Sequence, residues 1–420
     1  MNSRAALVRG EGHAVQGKEK KRKVRYKQTF DYTMIVTLVL LLCIGLVMVY
    51  SSSYYIAELN EESSAFYFLK QLICVAIGAL FMIFFMFFDY HYFFELPYKK
   101  YKWLTPFKWI KPYWAILIFG LITLGLVFVP GIGVELNGSR RWINVGISIQ
   151  PSEIMKVALI IFISCSIGKN PKKMRYFTYG MLPFLAILLV ACAIIYKQPN
   201  FSAIMCIVAL VMCMLYVGGA RLTHLGAIIA AAGIAAVILV TQEDYRADRL
   251  SAFTDPMSSW QVKQSLISFG AGGFFGRGLG NSMQKMLYLP YRESDFIFAI
   301  IAEELGFVGC FIVIALFAIL IWRGIVAAMR ARDLTGMLLA TGSVAMIAIQ
   351  VVLNIGVNTA LLPATGVVLP FISYGGSSVL MFMSMVGVAL NVSRQGHANV
   401  PAKKAGIAPK PQKEAPKDAG

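Results

Sequence analysis

Charge is what this 420-residue chain lacks: Asp, Glu, Lys and Arg make up 14% of it, against 58% for the hydrophobic residues. Soluble globular domains carry about 25% charged residues, so the composition argues against that class. Acids are the scarcer sign, 21 against 39 bases, for a net charge of +18. The seven cysteines (Cys43, Cys74, Cys165, Cys192, Cys206, Cys213 and Cys310) all lie in apolar stretches with no Cys-x-x-Cys pair. They read as small buried hydrophobes, not as a disulfide framework or a metal site. The glycine run from Gly270 to Gly280 is followed by no Gly-Lys-Ser/Thr and preceded by no strand pattern. It is therefore neither a P-loop nor a dinucleotide fingerprint, and close backbone packing at a re-entrant turn is the reading left. The basic first 28 residues lead into an apolar block too long for a signal-peptide core, so that block reads as a retained membrane span.

What is present is apolar length. Crossing ~30 Å of hydrocarbon takes roughly 20 apolar residues in a continuous helix, the form in which every backbone N–H and C=O is satisfied within lipid. Ten such blocks lie near 31–52, 67–88, 113–130, 152–168, 177–196, 200–217, 222–241, 295–322, 336–361 and 368–393, the third, fourth and sixth being short. The predicted fold is all-α: a polytopic integral membrane protein of about ten transmembrane helices, with a large extracytoplasmic loop between helices 7 and 8. Residues 29–394 form the transmembrane domain. Residues 1–28 and the Ala/Lys/Pro-rich 395–420 have too little apolar content to fold alone and are expected to be disordered cytoplasmic tails.

The basic surplus is distributed by topology. With a cytoplasmic N-terminus, the inner segments hold the N-terminal cluster, Lys99 to Lys111, Lys169 to Arg175, Arg221, Arg323, Arg330, Arg332, Arg394 and the tail lysines. The first outer loop, near 53–66, has no Lys or Arg and carries Glu58, Glu61 and Glu62. This positive-inside bias sets both termini in the cytoplasm and accounts for the net charge without nucleic acid as a partner.

In this topology the outer connections 131–151, 242–294 and 362–376 hold most of the distinctive polar residues, which points to an outward-facing site. Arg140 and Arg141 run against the positive-inside trend, so an anion is expected to hold them, either a lipid headgroup or a phosphate-bearing substrate. Trp142 beside them suits an interfacial anchor as well as a site residue. Ser152 reads as the N-cap of the fourth helix, and Glu153 and Lys156 share one face just inside the membrane, where a paired ion bridge is expected. Lys197 marks the next outer turn, and Arg246 and Arg249 follow in the long loop. Residues 259–267 read as a short interfacial helix. Ser294 and Asp295 have the spacing of an N-cap and a first-turn acid at the head of the eighth helix. Glu303 and Glu304, about two turns further in, mark a hydrated or ion-paired interior.

Taken together, these segments resemble one family. Arg-Trp-Ile (141–143), Gln-Pro-Ser-Glu-x-x-Lys (150–156), Leu-Pro with Ser-Asp-Phe-Ile-Phe-Ala and Ala-Glu-Glu-Leu-Gly (289–306), and the stretch from Asn358 to Ser378 with its Ser-Tyr-Gly-Gly run look like the signature of the SEDS family, that of FtsW, RodA and SpoVE. The form Asn-Gly-Ser-Arg-Arg-Trp is more like the division and sporulation branch. Asn200 stands where relatives commonly have Asp, and Glu293-Ser294 where many have His-Thr.

The resemblance implies a peptidoglycan glycosyltransferase that polymerises lipid II at the outer face of the bacterial plasma membrane. It also implies partnership with a class B penicillin-binding protein and other divisome membrane proteins. On this reading Asp295 is the catalytic residue. It deprotonates the acceptor hydroxyl, or orders it through a divalent cation, Mg or Mn. The pool for binding diphosphate and sugar is Arg140, Arg141, Trp142, Lys197, Arg246, Arg249, Lys285, Ser373 and Tyr374. Two alternatives stay open: a lipid II flippase, suggested by Glu153, Lys156, Glu303 and Glu304, and a non-catalytic scaffold for the penicillin-binding protein.

Overall fold

A computed structural model describes residues 30–60, 62–95, 111–136, 139–144, 148–241 and 257–397. Apolar helices occupy all ten blocks: α1 (Tyr32–Leu59), α2 (Phe66–Phe87), α3 (Pro112–Leu126), α4 (Pro151–Lys169), α5 (Leu182–Tyr196), α6 (Phe201–Val217), α7 (Leu222–Thr241), α9 (Ile297–Met329), α10 (Leu334–Asn358) and α11 (Gly376–His397). An eleventh helix, α8 (Trp260–Gly272), lies between α7 and α9. Among the described residues seven helices are long and apolar enough to cross a membrane, α5 counting together with the helical turn Phe177–Met181 before it. The helices α3 and α6 are shorter, as their blocks suggested, whereas α4, whose block also read as short, extends to 19 residues and is long enough to cross. The expected disordered tails 1–28 and 395–420, the latter apart from 395–397, lie outside the described residues, as do Arg246 and Arg249. The last helix runs to His397, past the expected tail boundary at 395.

The bundle is inside-out in the manner of a lipid-solvated protein. The apolar windows of α4 and α11 are 78% and 83% buried, whereas that of α2 is 17% buried although it is the more apolar, with a mean hydropathy of 2.2 against 1.5 for each of the other two. Burial thus separates a central group of α4, α10 and α11 from an outer ring whose exposed Leu, Ile and Phe side chains meet hydrocarbon. Close approach is bought with small residues: a Cβ at Gly387 of α11 would overlap the backbone of Met82 in α2.

The two ends of the bundle differ. At one, Asp31 caps α1 through its bond from the Met34 N–H and takes both Nε and Nη2 of Arg323, at 2.9 and 2.6 Å. Tyr90 donates to Asp333 there, and the guanidinium of Arg394 lies 5.7 Å from the ring of Phe30. The first and last described residues therefore share this end. At the opposite end a small antiparallel sheet, β1 (Gly133–Leu136), β2 (Ser139–Asn144) and β3 (Ser148–Ile149), in the order β1-β2-β3, precedes α4.

The glycine run solves a backbone problem in α9. Gly306 takes φ 67 and ψ −164, which breaks the helix. The carbonyls of Glu303 and Glu304 would otherwise accept from Phe307 and Val308. They accept instead from the N–H groups of Arg277 and Gly278, at 2.9 and 3.0 Å, while Phe307 and Val308 donate to Gly273 and Phe274. Each interrupted helical bond is thus replaced by one to the loop, as a low-dielectric setting demands. Side chains at Gly272, Gly276 or Gly306 would overlap the facing backbone, so only glycine permits the approach.

Candidate functional site

Asp295 does not sit in the first turn of a helix. α9 begins at Ile297 with Phe296 as its cap, and Asp295 precedes it in a turn where Ser294 and Phe296 both donate to the carbonyl of Tyr291. Tyr291 has φ 55, a left-handed conformation that tightens this strip. The expected Ser294 cap and helix-dipole role are corrected accordingly, and Ser294 bonds back to Tyr291.

Buried amides clamp the backbone of this strip. Asn354 and Asn358, one turn apart on α10, donate to the carbonyl of Asp295 at 2.8 and 3.0 Å. Asn354 also donates to Val367, and Asn358 accepts from the Ala299 N–H and has its own carbonyl held by Ser265 of α8. Residues 359–375 form the facing wall. Ser373 donates to the Ser294 carbonyl at 2.6 Å, the Tyr374 N–H donates to Glu293, and Gln71 of α2 bridges the Ser373 carbonyl and the Gly375 N–H. Gly366, held by Ser202 of α6, faces the acid so closely that a Cβ there would lie 3.2 Å from Asp295 Oδ2. The carboxylate itself is half-buried. Ser373 and Tyr374 are therefore brought to Asp295: Ser373 as a positioning residue, and Tyr374 with its ring 5.2 Å from that of Tyr67. Burial pushes the Tyr374 phenol up to about 12, so it is an O–H donor at neutral pH.

The cation pool is used differently from the expectation. Lys285 is fully buried and bonds Glu304 at 2.8 Å, with Ser51 of α1 donating to both carboxylate oxygens. Glu303 accepts from Ser282, from the Met283 and Gln284 N–H groups, and from Arg277. These two interior acids thus fasten the segment 277–285 onto α9. Arg140 pairs with Glu135 across β1 and β2 at 3.2 Å, both half exposed. Arg141 donates to the carbonyls of Gln198 and Pro199 in the α5–α6 turn. No external anion is required to hold either arginine. Trp142 is half-buried opposite Val134, and Lys197 is exposed at the α5–α6 turn.

Within α4, Glu153 and Lys156 pair at 2.6 Å, 5% and 2% exposed. Ser152 is not the cap: Gln150 holds that position, with Pro151 at the first turn, and the Ser152 hydroxyl is buried without a partner among the described residues. Asn200 caps α6 through its bond from Ala203, the task that an Asp would perform there. Sequence reading missed Asn354, Gln71, Ser202 and Ser265 as positioning residues. The available signal was polar side chains inside apolar blocks, which are costly unless bonded.

The architecture and the site can be set beside known proteins. The FtsW/RodA/SpoVE family model, described as a cell cycle protein, matches residues 32–398. Stage V sporulation protein E of Bacillus subtilis is 43% identical over 378 residues, 88% of this chain and 98% of its own. The "Probable peptidoglycan glycosyltransferase FtsW" of Trichlorobacter lovleyi is 38% identical over 374 residues, 87% of this chain and 93% of its own. Among solved structures, a chain from a peptidoglycan synthase complex that coordinates polymerization and crosslinking superposes with a TM-score of 0.69 at 22% identity, covering 88% of this chain and 98% of that one. The rod shape determining protein RodA of Thermus thermophilus superposes at 0.61 with 24% identity, covering 87% and 97%. With the match running from the first helix to the last and taking in the amide-clamped acid, the chain belongs to the FtsW/RodA/SpoVE family of multi-pass membrane proteins.

Proposed function

We propose that this protein is a peptidoglycan glycosyltransferase that polymerises lipid II, with Asp295 as the catalytic residue. The observation that carries the reading is the half-buried Asp295 carboxylate, whose backbone is held from two sides by Asn354, Asn358 and the Ser373-bearing wall. Relatives 35–38% identical over most of the chain carry the glycosyltransferase name, which supports it. Asp295 takes the proton of the acceptor sugar hydroxyl as that oxygen attacks the donor anomeric carbon and the lipid diphosphate departs. A positioned base of this kind contributes about 10²–10⁴-fold. Asp295→Asn and Asp295→Ala, purified with the partner transpeptidase and supplied with lipid II, are expected to lose polymer formation by that factor with thermal stability kept. Wild-type rates in either variant would remove Asp295 from the chemistry.

Orientation and partners follow from the same reading. The Asp31–Arg323 end gathers Lys169, Arg330, Arg332 and Arg394, so it is assigned to the cytoplasm and the Asp295 end to the outside. A class B penicillin-binding protein is the proposed partner, a reading supported by the fold shared with a chain of a polymerising and crosslinking complex. For the divalent cation, no group of three or more His, Cys, Asp or Glu that could hold a metal gathers among the described residues. Mg²⁺ commonly takes one protein carboxylate and completes its shell with substrate phosphates and water, which Asp295 fits. Such an ion would neutralise charge on the departing diphosphate.

The flippase reading requires polar groups through the depth of the bundle. The buried pairs Glu153–Lys156 and Lys285–Glu304 lie within about two turns of the Asp295 end, which favours polymerisation. Parallel assays of polymer formation and lipid translocation in defined liposomes separate the enzyme, flippase and scaffold readings.

A further inference from the structure

The strip that carries Asp295 also carries a buried arginine with half of its hydrogen-bonding edge unused. Arg292 is 3% exposed. Its Nη1 donates to the Leu289 carbonyl at 3.4 Å, while Nε and Nη2 are buried with no partner among the described residues. Nε and Nη2 form the side-on edge of the guanidinium, the fork that matches two oxygens of a phosphate. Leaving both unbonded in a buried site is costly, so an occupant is implied. The neighbouring Glu293 does not fill the fork, since its Oε2 is itself buried and unpartnered, as is Oε2 of Glu62 in the α1–α2 loop. Glu293, Glu62 and Arg292 all lie close enough to the Tyr67 phenol to act on it electrostatically, which gathers the three groups around one tyrosine. Burial depresses the Arg292 guanidinium and Glu293 opposes that shift, and an arginine side chain keeps its charge in proteins.

We infer that Arg292 is the core of a subsite for a phosphate oxyanion carried on a lipid, with Glu293 and Glu62 accepting from hydroxyl or amide donors on the same ligand. A glycosyl diphosphate offers both kinds of group, and so does the phosphate of a glycerol headgroup. The inference rests on the glycosyltransferase reading only for the first of these sources. Arg292 lies three residues before Asp295 on one strip, so the subsite is at the same end of the bundle as the carboxylate.

The test is binding of lipid II, and separately of phosphatidylglycerol, to the full chain in phosphatidylcholine nanodiscs. An Asp295→Asn background prevents turnover, and Arg292 is compared with Arg292→Lys and Arg292→Gln. Loss of two charge-assisted bonds is expected to weaken lipid II roughly 10- to 100-fold in Arg292→Gln. Arg292→Lys, which keeps the charge without the fork, is expected to weaken it at least roughly threefold and carries the test should the Gln variant fail to fold. Arg292-dependence seen with phosphatidylglycerol alone would support the subsite and identify the headgroup as its occupant. Equal affinity of all three proteins for both lipids overturns the subsite. Wild-type polymerisation is measured alongside. Polymer without Arg292-dependent binding sinks the subsite alone, and Arg292-dependent binding without polymer sinks the glycosyltransferase reading alone.

Discussion

Lys285 poses a choice between two roles that one double-mutant cycle resolves. As a free cation it would hold diphosphate, but in the structure its ammonium is fully buried against Glu304 at 2.8 Å. Replacing it by Met leaves the Glu304 carboxylate in the interior with only the Ser51 hydroxyl and the Ser282 N–H, the latter at 3.4 Å. Removing one member of a buried pair costs about 3–5 kcal/mol. Replacing both, as Lys285→Met with Glu304→Leu, removes the stranded charge and leaves chiefly the Ser51 hydroxyl unsatisfied, at about 1–3 kcal/mol. The double variant is therefore expected to be more stable than Lys285→Met by about 2 kcal/mol from these ranges, and the Glu304→Leu single completes the cycle that measures their coupling. Unfolding free energies in mixed micelles measure it, and polymerisation is assayed on the same samples. The double variant should regain activity along with stability. If it is well folded yet as inactive as Lys285→Met, Lys285 acts on substrate and the clamp role is wrong. If the two changes simply add, the pair is not coupled.

Three further outcomes follow from the geometry. Gly306→Ala puts a side chain at φ 67, ψ −164 and against Gly276, so a loss of about 1–3 kcal/mol is expected from backbone strain alone, read as a lowered unfolding midpoint. Asn358→Ala removes a donor to the Asp295 carbonyl and an acceptor for Ala299; kcat should fall by more than roughly tenfold with KM little changed, because the carboxylate loses its registration. If a divalent ion joins Asp295 to the substrate phosphates, EDTA is expected to abolish polymerisation and Mg²⁺ or Mn²⁺ to restore it, whereas an unchanged rate assigns Asp295 to proton transfer alone.

The helices were legible because the lipid requirement is written in one dimension, as unbroken apolar length, and the ten blocks coincide with ten helices. The break in α9 was not, because an apolar run continues straight through Gly306 and the partner that completes its ladder lies about thirty residues earlier, in the glycine run. That run was readable as close packing but not as packing against α9. At the site, the motif residue Asp295 was legible, while its spacing suggested a helix-start acid that the left-handed turn at Tyr291 rules out. The cation pool could not be sorted from sequence. Whether a cation meets an acid across two strands, a pair of backbone carbonyls or a buried glutamate is a three-dimensional fact, and Arg140, Arg141 and Lys285 fall one into each case.

The acid and the clamp are mechanically one unit. Glu303 and Glu304 tie the segment 277–285 to α9 through side chains, while their carbonyls tie Arg277 and Gly278 through the backbone. The strip 289–296 leads from that segment into α9, so its start and its end are both anchored on the same helix. Its remaining freedom is removed by α10 through Asn354 and Asn358 and by the wall through Ser373. Every one of these restraints acts on main-chain atoms of the strip. Fixing the main chain from both sides registers the Asp295 side chain against an acceptor hydroxyl, and for the proposed general base that registration is what proximity and proton transfer depend on.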